Sequence, residues 1–179
     1  MNKRILIVGL GLIGGSYAMG LSKKGFEVYA ISRQQKSIDY AIEHGLIKDG
    51  RITSDPEFIG SFDRIVLALY PKVLLKWVEE NGAYLKEGTI VTDVTGIKCE
   101  IVGKIQNSLP SGVEFIAAHP MAGREVYGVE NASSEIFKNA NYIIVPTERN
   151  TEEGINFARF FKLSDAFRLE ESSIFLPFT

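Results

Sequence analysis

Two clusters in this chain have residue types and spacings suited to chemistry. The first is Val8-Gly9-Leu10-Gly11-Leu12-Ile13-Gly14, a G-x-G-x-x-G run. Glycines at these intervals permit a tight turn, let the backbone approach a pyrophosphate, and let the next helix pack closely on the preceding strand. A helix starting there adds unpaired N–H groups and the positive end of its dipole. The chemistry is capture of a dinucleotide by Gly9, Leu10, Gly11, Leu12, Ile13 and Gly14. The second cluster begins at His119, which follows the apolar run Phe115-Ile116-Ala117-Ala118 and opens His-Pro-Met-Ala-Gly. A histidine at the carboxyl end of a strand is placed to act as a general base near neutral pH. The plainer reading is a structural histidine bonded to a loop backbone. His44, before Gly45 at the end of a polar helix, is assigned no chemistry.

These residues need elements to position them. Arg4 to Val8 reads as a buried strand, and Leu12 to Lys24 as a helix stopped by Gly25. Glu27 to Ile31 reads as a strand, and Lys36 to His44 as a helix stopped by Gly45. Arg64 to Leu69 follows as a strand, and Pro71 opens a helix to about Leu85. Then come a strand (Thr89 to Asp93), a helix (Lys98 to Asn107), strands Phe115 to Ala118 and Tyr142 to Val145, and a helix from Thr151 to Phe161. Strands alternating with helices predict an α/β fold, a Rossmann-type, doubly wound, mostly parallel sheet with helices on both faces. The stretch from Pro120 to about Ser134 is long for a connection, and such loops are often functional.

In open α/β sheets, ligands lie beyond the carboxyl ends of the strands. Leu69 and Tyr70 end one strand there, and Asp93-Val94-Thr95-Gly96 ends the next, so Leu69, Tyr70, Thr95 and Gly96 are expected to line the crevice. For Tyr70 simple packing is the alternative, and for Asp93 a cap on the following helix. The second strand ends in Ser32-Arg33, where an NAD-binding chain usually has an acid for the ribose 2′-hydroxyl. A hydroxyl beside a guanidinium suits a 2′-phosphate. The expectation is NADP preferred over NAD, with a solvated Arg33 and NAD use as the alternative.

The composition excludes several classes. A formal net charge of −2 gives no electrostatic reason to expect nucleic acid or a membrane surface as partner. The single cysteine, Cys99, has no internal disulfide partner, and no Cys/His cluster suggests a metal. The apolar run after Lys3 and Arg4 is broken at once by glycines, unlike a secretory leader. A cytoplasmic protein acting on a small molecule is expected.

Gly-Leu-Gly-Leu-Ile-Gly-Gly-Ser (Gly9 to Ser16), Asp93-Val94-Thr95-Gly96-Ile97-Lys98 and His119-Pro120-Met121-Ala122-Gly123 occur in that order. Together they resemble the prephenate/arogenate dehydrogenases of tyrosine biosynthesis, over about residues 3 to 162. The resemblance implies oxidative decarboxylation of prephenate to 4-hydroxyphenylpyruvate. It makes His119 the catalytic base and Glu125 an acid that gates or orients substrate, with an exposed loop carboxylate as the alternative. Arg124 either binds a substrate carboxylate or faces solvent. Arogenate as substrate, or a cofactor-binding module without catalysis, are the competing readings. The resemblance departs at Gly96, where many members carry a serine bonded to the histidine; Thr95 is the neighbouring hydroxyl.

Family members continue into a helical domain that forms homo-oligomers. Here residues 1–162 read as the dinucleotide-binding domain and 163–179 as an atypical tail, without clear period and ending in the apolar string Ile174 to Phe178. A docked tail and a shortened or frameshifted end are the two readings. An apolar face that normally meets the helical domain is then exposed, and such faces promote association. Sedimentation velocity at high concentration is expected to show self-association; a strictly monomeric profile contradicts this.

Overall fold

The computed structural model describes residues 4–98, 101–160 and 168–171. In chain order the first half comprises β1 (Arg4–Val8), α1 (Leu12–Lys23), β2 (Glu27–Ile31), α2 (Gln35–Glu43), β3 (Asp49–Arg51), α3 (Pro56–Gly60), β4 (Arg64–Leu67) and α4 (Pro71–Asn81). The second comprises β5 (Ile90–Asp93), α5 (Ile101–Ser108), β6 (Glu114–Pro120), β7 (Asn141–Val145), α6 (Glu152–Phe160) and β8 (Arg168–Glu171). The strands form one sheet in the order β3-β2-β1-β4-β5-β6-β7-β8. All neighbours pair in parallel except β6 and β7, which are antiparallel.

The central strands are apolar throughout because both sheet faces are covered. Side chains alternate between the faces. Ile5, Ile7, Ile116 and Ala118 pack with Tyr17 and Leu21 of α1, Ile38 of α2 and Phe157 of α6. Leu6, Val8, Leu67 and Phe115 pack with Ile59 of α3, Leu74 and Trp77 of α4, and Ile105 of α5. This is the doubly wound arrangement expected from the alternation. Gly25 and Gly45 end α1 and α2 with φ of 81° and 67°, the left-handed conformation in which a helix stops most easily at glycine.

The structure adds two elements to the sequence reading. Both β3 and α3 are too short to show a period. The helix α3 is set locally: Pro56 fills its first turn, and the Asp55 carboxylate accepts the Phe58 N–H at 2.7 Å. Three further differences matter. The strand expected to reach Leu69 ends at Leu67. The strand expected to end at Ala118 continues through His119 to Pro120, because β7 lies antiparallel beside Ala117–Pro120. The segment read as an aperiodic tail contributes β8, which extends the sheet from β7. The Ile174 to Phe178 string lies outside the described residues, as do Cys99 and residues 161 and 162.

The expected long loop after Pro120 is anchored at its far end. Val129–Asn131 and Ser134–Phe137 form short 3₁₀ turns. The Ser133 N–H donates to Ser16 Oγ at 3.0 Å, Lys23 Nζ donates to Ser134 Oγ at 3.1 Å, and Phe137 meets Tyr17 with ring centroids 4.9 Å apart. Among the described residues, no helix is long and apolar enough to cross a membrane.

Tyr17 of α1 and Tyr142 of β7 are fully enclosed. Burial is the main cause that raises both phenols above their ordinary value of 10.0, and the nearby Asp93 charge adds to it. The unfolded chain gives up these protons near pH 10 while the folded chain keeps them, so stability falls as pH rises above that value. Urea unfolding is expected to show an unfolding free energy that falls steadily as pH rises from about 10 to about 11.5. Tyr17→Phe removes one share of that slope; a pH-independent unfolding free energy contradicts the assignment.

Candidate functional site

The glycine loop joins β1 to α1 at the carboxyl edge of the sheet. Gly9 has φ of 103°, and a Cβ there would strike the Ala68 carbonyl oxygen. A Cβ on Gly14 would overlap the Gly9 carbonyl oxygen, so the first turn of α1 rests directly on the loop. Gly11 differs: a Cβ there would have nothing within 4 Å, and the residue is exposed. It is also the N-cap of α1, and no side chain caps that terminus. The first N–H groups of an α-helix have no intrahelical acceptor. An open, uncapped helix start beside a glycine with space above it fits a pyrophosphate. Leu10 is buried in the core, so any ligand contact it makes is through backbone; Leu12 and Ile13 are half-buried.

At the end of β2, Ser32 is largely buried and its N–H donates to the Arg51 carbonyl at 3.0 Å, while Arg33 is exposed. β3 therefore brings a second guanidinium to this corner. Arg51 pairs with Asp49 at 2.7 Å and lies 4.9 Å over the Phe58 ring. It was missed in sequence because its strand has only three residues. Leu69 is half-buried against Gly9, its methyl 3.1 Å from where a Gly9 Cβ would stand. Tyr70 is 73% exposed at the N-cap of α4, which removes the packing alternative.

His119 is half-buried, and its Nδ1 lies 3.0 Å from the Val94 carbonyl oxygen. A carbonyl only accepts, so Nδ1 carries the proton and Nε2 of the neutral ring is the basic nitrogen. A Cβ on Gly96 would be 3.4 Å from His119 Cε1 and Nε2, so the ring lies over Gly96. The orienting partner is therefore backbone rather than the hydroxyl of Thr95. That hydroxyl is buried and donates to Asp93 Oδ2.

Among the described residues, Asp93 makes no capping bond to the following helix. It is fully buried, accepts N–H bonds from Thr95 (3.0 Å) and Ala118 (3.1 Å), and pairs with Lys98, whose Nζ is 2.7 Å from both carboxylate oxygens. Lys98 Nζ also donates to the Ala118 carbonyl at 2.6 Å. Burial pulls the Lys98 ammonium below its ordinary 10.5, opposed by the Asp93 charge. Lys98 stood in a motif of the sequence but carried no signal of its own, because one of its partners is the distant Ala118 carbonyl and the other, Asp93, read as a helix cap. Glu125 and Arg124 are both exposed on the segment after β6, near Met121 (54% exposed) and Tyr127 (79%). Among the described residues, no group of three or more His, Cys, Asp or Glu side chains is arranged to hold a metal ion.

An open parallel sheet with a glycine loop after its first strand, and a second chemical edge at the ends of β5 and β6, defines a Rossmann-type dinucleotide-binding domain. Residues 17–166 match the family described as prephenate dehydrogenase, nucleotide-binding domain, and the chain belongs to that family. A prephenate dehydrogenase of Lactococcus lactis subsp. cremoris is 36% identical over 159 residues, covering 84% of this chain and 43% of the relative. The crystal structure of Synechocystis arogenate dehydrogenase has a TM-score of 0.83 at 30% identity, covering 94% of this chain and 59% of that one. The Aquifex aeolicus prephenate dehydrogenase, solved with hydroxyphenyl propionate and NAD+, has a TM-score of 0.81 at 25% identity, covering 94% and 59%. The chain thus spans well under two thirds of the length of these relatives.

The glycines separate fold from binding. Gly14→Ala is expected to destabilise by about 1–3 kcal/mol, the usual range for overpacking. Gly11→Ala is expected to stay within about 1 kcal/mol of the parent, yet to weaken NADP and NAD binding at least about tenfold, or roughly 1.4 kcal/mol. Thermal melting with calorimetric titration of both dinucleotides checks the pair; unchanged binding by Gly11→Ala contradicts the assignment.

Proposed function

We propose that this chain carries the cofactor-binding and base-bearing part of a prephenate dehydrogenase that prefers NADP to NAD. The observation that carries the reading is the His119–Val94 bond, which leaves Nε2 basic at the carboxyl edge beside the ends of the central strands. In this reading Gly9 to Gly14 hold the pyrophosphate, and Ser32 and Arg33, with Arg51 beside them, meet the adenine ribose. A bound nicotinamide supplies the hydride acceptor. His119 Nε2 takes the proton of the C4 hydroxyl, and the alkoxide character that develops there favours departure of hydride from C4. Loss of carbon dioxide makes the ring aromatic and leaves 4-hydroxyphenylpyruvate. Exposed Glu125 orients or gates the substrate from the segment after β6. The domain boundary lies near residue 162, and a helical domain completes the substrate site and forms a homo-oligomer.

Arg33 beside Ser32 and the lack of an acid at the end of β2 support NADP, since guanidinium forms forked bonds to phosphate. The Aquifex relative solved with NAD+ favours the other cofactor. The Synechocystis relative favours arogenate as substrate. Prephenate and arogenate, each with NADP and NAD, are tested by the absorbance of reduced nicotinamide. Prephenate with NADP is expected to give the highest kcat/KM. His119→Asn should lower kcat by about 10²–10⁴ with cofactor binding unchanged. Arg33→Ala should cut the NADP-to-NAD preference by about tenfold, as loss of about 1.4 kcal/mol of phosphate binding. NADP binding without turnover of either substrate identifies a binding module instead, and an unchanged preference in Arg33→Ala removes the NADP reading.

A further inference from the structure

His119 depends on a single bond to Val94, and the sheet itself does not hold the two residues together. The parallel ladder between β5 and β6 ends at the Thr92–Ile116 pair, so Val94 and His119 both lie past it. What spans this gap is the buried Asp93–Lys98 ion pair. Asp93 Oδ2 accepts the Thr95 N–H at 3.0 Å. That N–H belongs to the same peptide unit as the Val94 carbonyl that receives the His119 proton. Lys98 Nζ donates to the Ala118 carbonyl at 2.6 Å, in the peptide unit that leads into His119. Asp93 Oδ1 accepts the Ala118 N–H at 3.1 Å, in the peptide before it. One ion pair therefore grips the peptides at both ends of the His119–Val94 bond.

We propose that Asp93 and Lys98 are positioning residues for His119: through the 94–95 and 118–119 peptides they hold the imidazole in the Nδ1–H form, with Nε2 at the reacting edge. The proposal rests on reading His119 as the base. A buried ion pair contributes little net stability over apolar residues of the same volume, whereas removal of one partner strands a buried charge. The pair can therefore be replaced as a unit without the penalty of either single change.

The test is the double variant Asp93→Asn with Lys98→Met, labelled with ¹⁵N at histidine. The chain has only two histidines, and His44→Gln assigns the pair of ring signals from each. In the parent the ring shifts of His119 are expected to report the Nδ1–H tautomer. In the folded double variant they should move to mixed tautomers, with dinucleotide affinity within about twofold, or roughly 0.4 kcal/mol, of the parent. Lys98→Arg keeps a cation able to bond both Asp93 and Ala118, and should retain the parental shifts. Where the parent turns over substrate, the double variant should lose about 10- to 100-fold in kcat, within the range a positioned base contributes, at unchanged cofactor KM. Parental ring shifts in the folded double variant overturn the proposal. If that variant does not fold, Asp93→Ser with Lys98→Met, which also leaves no stranded charge, is read in the same way and decides between the same two outcomes. The tautomer measurement needs no substrate, so a parent that oxidises neither prephenate nor arogenate overturns the reaction and not the positioning.

Discussion

Asp93 brings a full negative charge into the fully buried end of a central strand. A carboxylate in that position is costly unless each oxygen is bonded. Its bonds come from Lys98, from the N–H groups of Thr95 and Ala118, and from the Thr95 hydroxyl. Satisfying one charge thereby determines where three segments meet: the end of β5, the turn after it, and the overhanging end of β6. The position of His119 is a consequence of that meeting. Tyr17 and Tyr142, buried close enough to feel the same charge, extend its influence to α1 and β7.

The cofactor edge is governed by a different constraint, the closeness of backbone to backbone. Gly9 and Gly14 are held by contacts that a methyl group would break, whereas a methyl group on Gly11 would meet nothing within 4 Å. Two of the three glycines serve the packing of helix on strand, and the third keeps space open. Their shared spacing hides this division of labour. The loop follows β1 and the Asp93 network follows β5, with β4 between them in the sheet, so the open helix start of α1 and the basic nitrogen of His119 both lie at its carboxyl edge.

The far end of the sheet departs from the parallel pattern. Antiparallel β7 carries β6 past the end of β5 by pairing with Ala117 through Pro120. The extra length carries His119 past the end of the β5–β6 ladder and over Gly96. β8 then covers the outer edge of β7, an edge that would otherwise present unpaired backbone groups. The family match ends at residue 166, before β8 begins.

Local information in the chain was enough for the central strands, the helices that end at glycine, the glycine loop and the place of His119 at the end of a strand. Each is written in periodicity, in turn chemistry or in a contiguous motif, and each depends on neighbours within a few residues. Tertiary structure decided the remainder. β3 and β8 exist because a neighbouring strand offers an edge, which no short polar segment announces. The partner of His119 is a carbonyl 25 residues away, and carbonyls are identical at every position in a sequence. Thr95 is the hydroxyl next to the place of the absent serine, but Asp93 claims it. Arg51 lies beside the end of β2 only because β3 pairs with β2. Backbone acceptors and cross-strand neighbours carry no residue signature, so the geometry around His119 became visible only when the sheet brought them together.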